Sequence, residues 1–252
     1  MGDLRVERRA NGAMVLTLDS PAVRNALDLP MIRALAAALD TAAGDPDCRM
    51  VMLRGAGEDF CTGRNVNEIK AFGTRSRDQV AEEMAFLRDV MLAVERFPKP
   101  LVVAVDGYAL GLGMALVGLA DIALATERAS FGLPEIRLGF APSLAAVAAL
   151  RAVDGRLAMP MLLTGERIDA AAAKDLGLVH RVVPAGELAA ESDALSERLT
   201  ALSTDAQIVC KRLVREAAGQ DFATSTALAV EVALAGFGKA PGSDGKTAGG
   251  SA

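Results

Sequence analysis

L-V-V-A-V-D-G-Y-A-L-G-L-G-M-A-L-V-G-L-A-D-I-A-L-A-T-E-R-A-S-F-G-L-P-E-I-R-L, residues 101–138, is the stretch around which this chain is organised. Leu101–Val105 is a β-branched apolar run with the composition of a buried strand. Glycines from Gly107 to Gly113 punctuate a turn, an apolar helix follows from about Leu112 to Leu119, and Ile122–Ala125 is a second apolar strand. A strand, a glycine turn and a helix start leave backbone N–H groups with no intrahelical partner. The helix dipole adds roughly half a positive charge at the same point. Such a corner suits a phosphate, a carboxylate or an oxyanion that exists only during a reaction. Further on, Glu135 stands among Phe131, Leu133, Pro134 and Ile136, and a carboxylate in apolar company is a candidate general acid/base. The same residues also fit the ordinary core of an α/β sheet with an exposed acid on a loop. A dinucleotide fingerprint is absent: Leu116 occupies the third glycine position after Gly111-x-Gly113, and no acid follows at the distance the ribose contact needs.

Working outward, 252 residues can bury one large core, and 52% apolar against 23% charged residues is a globular composition. A net charge of −5 argues against a nucleic-acid surface and against anionic membranes, while leaving room for one small anionic ligand on a local basic patch. The three cysteines, Cys48, Cys61 and Cys210, form no C-x-x-C pair, and their odd number suits a reducing compartment. The single histidine, His180, cannot build a His-based metal site and reads as structural in its G-L-V-H-R-V-V-P context. M-G-D-L-R-V-E-R-R has no apolar run and is no signal peptide, and the uncharged stretch Gly107–Ala120 is too short and glycine-rich to span a bilayer. These features together predict a cytoplasmic protein.

The patterning predicts strands at Leu4–Arg9 and Ala13–Asp19 joined by Asn11-Gly12 as a two-residue type I′ turn. Asp28 is a candidate N-cap for a helix to about Ala42 with Ile32, Leu35, Ala36 and Leu39 on one face. A strand at Met50–Arg54, a turn-rich loop Gly55–Gly63 and a short helix around Val66–Phe72 follow. Gly73–Arg77 reads as a mobile polar segment before a long helix, Asp78–Phe97, whose stripe is Met84, Leu87, Met91 and Val94. Past Pro142 the pattern is helical: Ser143–Val153, Asp154–Leu163, Asp169–Asp175, Glu187–Ala201, Asp205–Ala218 and about Ala223–Ala235.

Five segments occur in the order found in the crotonase superfamily, the enoyl-CoA hydratase/isomerase family, and the chain resembles it. They are P-A-V-R-N-A-L (21–27), R-G-A-G-E-D-F-C-T-G-R-N-V-N-E-I (54–69), D-G-Y-A-L-G-L-G-M-A-L (106–116), F-G-L-P-E-I-R-L-G-F-A-P (131–142) and L-T-G-E-R-I-D-A-A-A-A-K-D-L-G-L-V-H-R-V-V-P (163–184). The resemblance implies an α/β fold, a crotonase-like spiral of ββα units with a helical C-terminal region. It implies a core with an acyl-CoA site over residues 1–200 and a trimerisation region over 201–236, whereas the Gly/Ser-rich composition of 237–252 predicts a disordered tail in place of the further helix usual in the family. It further implies a homotrimer or hexamer, an acyl-CoA substrate with coenzyme A as part of the thioester, and no permanently bound cofactor or metal. Neither nucleic acid nor membrane is an expected partner.

By the same resemblance, the backbone N–H groups of Arg64 and Leu112 form the oxyanion hole for a thioester enolate, and Glu135 carries the proton. Ala22, Arg24, Gly63, Asn65 and Gly111 are the implied coenzyme A contacts, with Arg24 the candidate for a phosphate. Four positions and one segment depart from the family. Leu112 takes the middle place of its G-G-G turn, where a backbone donor tolerates most side chains and the bulk narrows the pocket. Ala115 stands where the second acid/base glutamate belongs. Arg64 replaces the more usual alanine, its side chain either leaving for solvent or meeting an acidic group on the ligand. Asn65 replaces a frequent aspartate, and Ala141–Leu150 lacks the glycines of a P-G-A-G-G loop. Two-glutamate hydration of a 2-enoyl-CoA therefore lacks one partner, whereas a one-base proton shuttle between carbons, as in 3-enoyl to 2-enoyl isomerisation, needs only Glu135. Single-glutamate hydration, decarboxylation and a non-catalytic CoA-binding scaffold are the alternatives.

Overall fold

The computed structural model describes residues 2–236, so the tail expected at 237–252 lies outside them. The chain forms two compact units, Met1–Thr204 and one that begins at Asp205. In the first, six strands make one sheet: β1 (Asp3–Arg8), β2 (Ala13–Asp19), β3 (Met50–Gly55), β4 (Leu101–Val105), β6 (Ile122–Thr126) and β9 (Arg181–Val183), adjacent in that order. β1 and β2 are antiparallel and every later pairing is parallel. A second sheet contains β5 (Tyr108–Leu110), β7 (Ser130–Gly132) and β8 (Ile168–Asp169), β7 running parallel to β5 and antiparallel to β8. The helices of this unit are α1 (Leu29–Gly44), α2 (Val66–Lys70), α3 (Arg77–Glu95), α4 (Leu112–Leu119), α5 (Ser143–Ala149), α6 (Gly155–Thr164), α7 (Ala170–Asp175) and α8 (Leu188–Thr200). α9 (Thr204–Ala217) and α10 (Phe222–Gly236) complete the chain. These repeating β–α units with a helical C-terminal region are the expected crotonase-like architecture.

Strand residues alternate faces, and in β2, β3, β4 and β6 both faces are buried, as near-continuous apolar strands require. Met14, Leu16, Val51, Leu53, Val103 and Ala125 join the main core, with residues of α1, α3 and α4. Their neighbours Val15, Met50, Met52, Val102 and Leu124 face a smaller core closed by Leu195 of α8. α1 starts where expected, Asp28 Oδ1 accepting the Met31 N–H at 2.9 Å. Its other end holds a feature the periodicity does not reveal. Lys99 is buried, and its Nζ donates to the carbonyls of Ala42 at 2.7 Å and Asp45 at 2.6 Å. A cation there satisfies carbonyls that the helix leaves orphaned and meets the negative end of its dipole.

Three local expectations change. The first hairpin does not use a two-residue type I′ turn. Gly12 N–H donates to Arg9 O, Arg9 N–H to Ala13 O, and Gly12 has φ +87° while Asn11 is not left-handed. That is a three-residue loop in which a turn is followed by a left-handed glycine. Gly73–Arg77 is not a polar mobile linker. Ala71–Thr74 is a 3-10 turn, and Ser76 and Gln79 form a reciprocal capping box at the start of α3. The helix from Ser143 ends at Ala149, short of Val153. Among the described residues no helix is long and apolar enough to cross a membrane.

Replacing Lys99 with Met removes the side-chain donor to the Ala42 and Asp45 carbonyls, of which Asp45 O keeps only the Cys48 N–H at 3.1 Å, and this should cost about 1–3 kcal/mol of stability. Urea unfolding measures it, and a loss below about 0.5 kcal/mol would show that the buried ammonium does not hold the end of α1.

Candidate active site

The site is assembled from backbone before side chains enter it. Residues 61–65 run between Leu27 and β5, making a parallel bridge on each flank, Leu27 with Arg64 and Cys61 with Ala109. Leu27 N–H donates to Gly63 O at 2.7 Å and Asn65 N–H to Leu27 O at 2.8 Å. Amides of an extended chain alternate in direction, so the Arg64 N–H points away from Leu27. On the opposite flank Cys61 N–H donates to Tyr108 O and Leu110 N–H to Cys61 O.

From Leu110 the chain turns through Gly111, at φ +52°, into α4. A Cβ on Gly63 would stand 2.7 Å from Leu110 O and 3.2 Å from the Leu112 nitrogen, and one on Gly113 would stand 2.3 Å from Cys61 O. Only glycine lets these two backbones approach so closely. Leu112 is the first residue of α4, so its N–H has no intrahelical acceptor. Nor does it donate to any other group among the described residues.

Glu135 arrives by a second route. Pro134 opens the 3-10 turn Pro134–Leu138, which Gly139 closes at φ +84°. The turn carries the carboxylate over the bare Cα of Gly111, where a Cβ would lie 2.6 Å from Glu135 Oε1. Its Oε2 is buried with no hydrogen-bond partner among the described residues. Burial drives the Glu135 pKa above the usual carboxylate range, outweighing the lowering contribution of its own backbone amide.

Glu135, Arg64 and Leu112 line one cavity of about 530 Å³. Its remaining wall is largely apolar: Ile69, Met84 and Leu87 on one side, Phe140, Ala141, Pro142 and Leu144 on another. The loop expected to be stiffened by loss of glycine therefore contributes wall and the start of α5. Ala115 is completely buried in the main core and is not part of this lining.

The Arg64 side chain takes neither expected course. It is 9% exposed and pairs with Glu83 Oε1 at 2.6 Å and Glu68 Oε2 at 2.8 Å. Glu83 is itself buried and also pairs with Arg75 at 2.5 Å. Burial raises the Glu83 pKa, but the Arg75 and Arg64 guanidiniums outweigh it and hold the carboxyl below its ordinary range. The buried charge on α3 was absent from the sequence reading. Its local signal is that Glu83 lies four residues before Leu87, on the apolar face of the helix.

The other predicted residues divide. Gly63 makes the close backbone contact, and Gly111 leaves room for the Glu135 carboxylate. Asn65 caps α2, its side chain accepting the Asn67 N–H at 2.9 Å. Ala22 and Arg24 lie outside the cavity, exposed on the turn beginning at Pro21. Arg24 holds φ +52°, its carbonyl accepts from Thr62, and its guanidinium lies 5.3 Å from the Tyr108 ring centre, with that of Arg167 at 4.8 Å. His180 Nδ1 accepts the Ala123 N–H, a structural role. Cys61 is no nucleophile at neutral pH, since burial pushes its thiol up to about 12 against a bond from Gly63 N–H. Among the described residues no group of three or more His, Cys, Asp or Glu could hold a metal.

A family model described as Enoyl-CoA hydratase/isomerase matches residues 8–239. The rat protein "Enoyl-CoA hydratase domain-containing protein 3, mitochondrial" is 32% identical over 222 residues, covering 88% of this chain and 73% of its own length. "Enoyl-CoA hydratase EchA19" of Mycobacterium tuberculosis is 35% identical over 217 residues, 85% of this chain and 80% of its own. The crystal structure of an enoyl-CoA hydratase from Mycobacterium smegmatis superposes with a TM-score of 0.88 at 35% identity, covering 93% of this chain and 91% of that one. One expectation is corrected by these relatives. The rat, mouse, human and Xenopus proteins are mitochondrial by name, which conflicts with a cytoplasmic assignment. Unpaired cysteines indicate a reducing compartment without distinguishing one such compartment from another.

The buried carboxyl carries a stability signature. With a folded pKa raised above the unfolded one, Glu135 contributes most below its unfolded pKa and loses that contribution as pH rises through the folded value. Glu135→Gln should therefore melt above wild type at pH 8, with the gap closing toward pH 4. Thermal melts across that range check it. A variant that melts below wild type at pH 8 would mean that the carboxylate is not a buried, unpaired charge.

Proposed function

The chain belongs to the enoyl-CoA hydratase/isomerase family, and from that premise we propose that it moves the double bond of an enoyl-CoA using Glu135 as its single acid/base. Membership makes it an acyl-CoA-transforming enzyme, with coenzyme A entering as part of the substrate. In the reading favoured here the thioester oxygen lies against the Arg64 and Leu112 amides. The Glu135 carboxylate takes a proton from C2 of a 3-enoyl-CoA. The electron pair passes into the thioester as an enolate, and the amides stabilise the oxyanion. The proton then returns at C4, the double bond moves to C2–C3, and the carboxylate is regenerated. No water is consumed.

The observation that carries this reading is that Glu135 is the one acid lining the cavity, while Ala115, where the resemblance implies the second, is buried in the core outside that lining. The raised Glu135 pKa supports it, because a base poised nearer neutrality transfers protons in both directions more readily. The helix-start amide of Leu112 supports the enolate, since losing one such donor typically costs about 10²–10³ in rate. The hydratase names of the relatives favour a second reading, hydration with one glutamate. Ala22, Arg24, Gly63, Asn65 and Gly111 are proposed as the coenzyme A contacts, the basic pair Arg24 and Arg167 over Tyr108 supporting a phosphate near Arg24.

We also propose that residues 1–200 form the catalytic core, with 201–236 the trimerisation region of a homotrimer or hexamer. Within α9 no residue is buried, and Val214, Phe222, Val230 and Leu234 are all exposed apolar side chains of α9 and α10.

Two measurements test these proposals. In deuterated water, wild type should exchange the C2 proton of a saturated acyl-CoA, and Glu135→Gln should lose about 10²-fold or more. Given a 3-enoyl-CoA, wild type should form the 2-enoyl isomer faster than it hydrates a 2-enoyl-CoA; the reverse order selects the hydratase, and no exchange across chain lengths removes Glu135 chemistry altogether. Sedimentation equilibrium should give a trimer or a multiple of three, and a monomer at micromolar concentration would contradict the assembly.

A further inference from the structure

Arg64 and Glu83 lie outside the proton chemistry, yet they join the oxyanion backbone to the cavity wall. Four charges meet there. Arg64 Nη1 is 2.6 Å from Glu83 Oε1, Arg64 Nη2 is 2.8 Å from Glu68 Oε2, and Arg75 Nη1 is 2.5 Å from Glu83 Oε2. Arg75 also donates to Gln79 O at 3.1 Å. Glu83 is therefore ion-paired on both oxygens, through Oε1 to an arginine from the loop that holds the oxyanion amide and through Oε2, by a hydrogen bond, to another from the turn preceding α3. The two arginines and two glutamates sum to no net charge.

We propose that Glu83 is a positioning residue, a buried bridge that fixes the Arg64 main chain, and hence its amide, relative to the α2–α3 wall of the cavity. The inference rests on the oxyanion role given to Arg64 above. It accounts for the arginine that stands where the family usually has alanine. An alanine there has no side-chain tether, whereas Arg64 ties its own backbone to α2 through Glu68 and to α3 through Glu83. Stability alone is a poor reason for such a cluster, because a buried ion pair is often no more stabilising than apolar residues of equal volume. Geometry is a better one, because a catalytic donor has to be held within about 0.5 Å of its productive place. Main-chain bonds from Leu27 and Asn65 fix one side of the 63–65 segment. The guanidinium contacts fix the side chain that leaves it. Ile69 and Met84, which line the cavity, sit on the two helices so joined. Removing Glu83 would leave Arg64 and Arg75 facing a gap with like charges and no carboxylate between them.

The test is a double-mutant cycle on C2-proton exchange with a saturated acyl-CoA, alongside hydrogen–deuterium exchange of the substrate-free protein. Glu83→Gln should lower kcat about 10–100-fold with KM changed less than about threefold, the range expected when a catalytic group is misplaced by an ångström. Arg64→Ala keeps the amide and removes the tether, so it should fall to a similar level, and the double variant should be no worse than either single one. Amides in 62–76 of Glu83→Gln should exchange more than tenfold faster while those of β2–β4 do not change. If Glu83→Gln does not fold, Arg64→Lys takes its place. It retains the charge but cannot span both glutamates, and should lower kcat several-fold. Losses that multiply in the double variant, a kcat at the wild-type level in the singles, or unchanged amide exchange in 62–76 would each overturn the proposal. An inactive wild type whose 62–76 amides still loosen in Glu83→Gln would refute the enolate reading and leave the bridge standing.

Discussion

Two stretches of main chain touching without side chains between them is the constraint on which this structure depends. Gly63 faces Leu110 and Leu112, and Gly113 faces Cys61, at separations that no Cβ could share. The surrounding polar groups keep that contact in place. Asp106 accepts from Gly107 N–H at 3.1 Å, Thr126 Oγ1 at 2.6 Å and Arg128 Nε at 2.7 Å, pinning the turn after β4. Asp59 Oδ1 accepts the Tyr108 N–H at 2.9 Å. Asn25 is wholly buried at φ +54°, and its amide donates to Ala56 O and Asp59 O while accepting from Ser20 N–H. Each of these side chains satisfies buried backbone groups that irregular loops would otherwise leave unpaired. The parallel sheet supplies the rigid base from which β4 and β5 deliver the turn to α4.

Around that contact the fold gives two glutamates opposite environments. Glu135 enters a largely apolar cavity with one oxygen unpartnered, and burial raises its proton affinity. Glu83 is buried as well, yet two guanidiniums hold its carboxyl below the ordinary range. Burial alone therefore does not decide the charge state; the neighbours do. Arg64 lines the cavity with Glu135, but its charge is engaged by Glu68 and Glu83 and does not lower the Glu135 pKa. A mobile proton and a fixed ion pair can thus share one cavity wall.

Much of the fold was legible because its elements are long and strongly patterned. The apolar strands at 50–54, 101–105 and 122–125 and the helix caps at Asp28 and Ser76 carry local chemistry, although only the first of those caps was read as such. The second sheet escaped notice because β5 and β7 have three residues and β8 has two, too few for alternation to register. Asn11-Gly12 does not fix the turn type, because the dipeptide is compatible with more than one loop length. Glu135 and Leu112 could be singled out from their apolar and glycine-rich surroundings, while the specific use of Arg64 came from resemblance. Nothing local indicated where the Arg64 side chain goes, since Glu83 is 19 residues away in sequence and on another helix. Lys99 was hidden for the same reason: its acceptors belong to a helix that ends more than 50 positions earlier.

The central claim is that main-chain amides polarise a thioester carbonyl before any proton moves. Isotope-edited infrared spectroscopy of a bound saturated acyl-CoA, labelled with carbon-13 at the thioester carbonyl, reads that polarisation directly. Two donors converging on the oxygen weaken the C=O bond, so the labelled stretch should shift to lower wavenumber on binding, and Gly63→Ala should diminish the shift. A bound thioester whose carbonyl stretch matches that in water or moves to higher wavenumber would contradict the account.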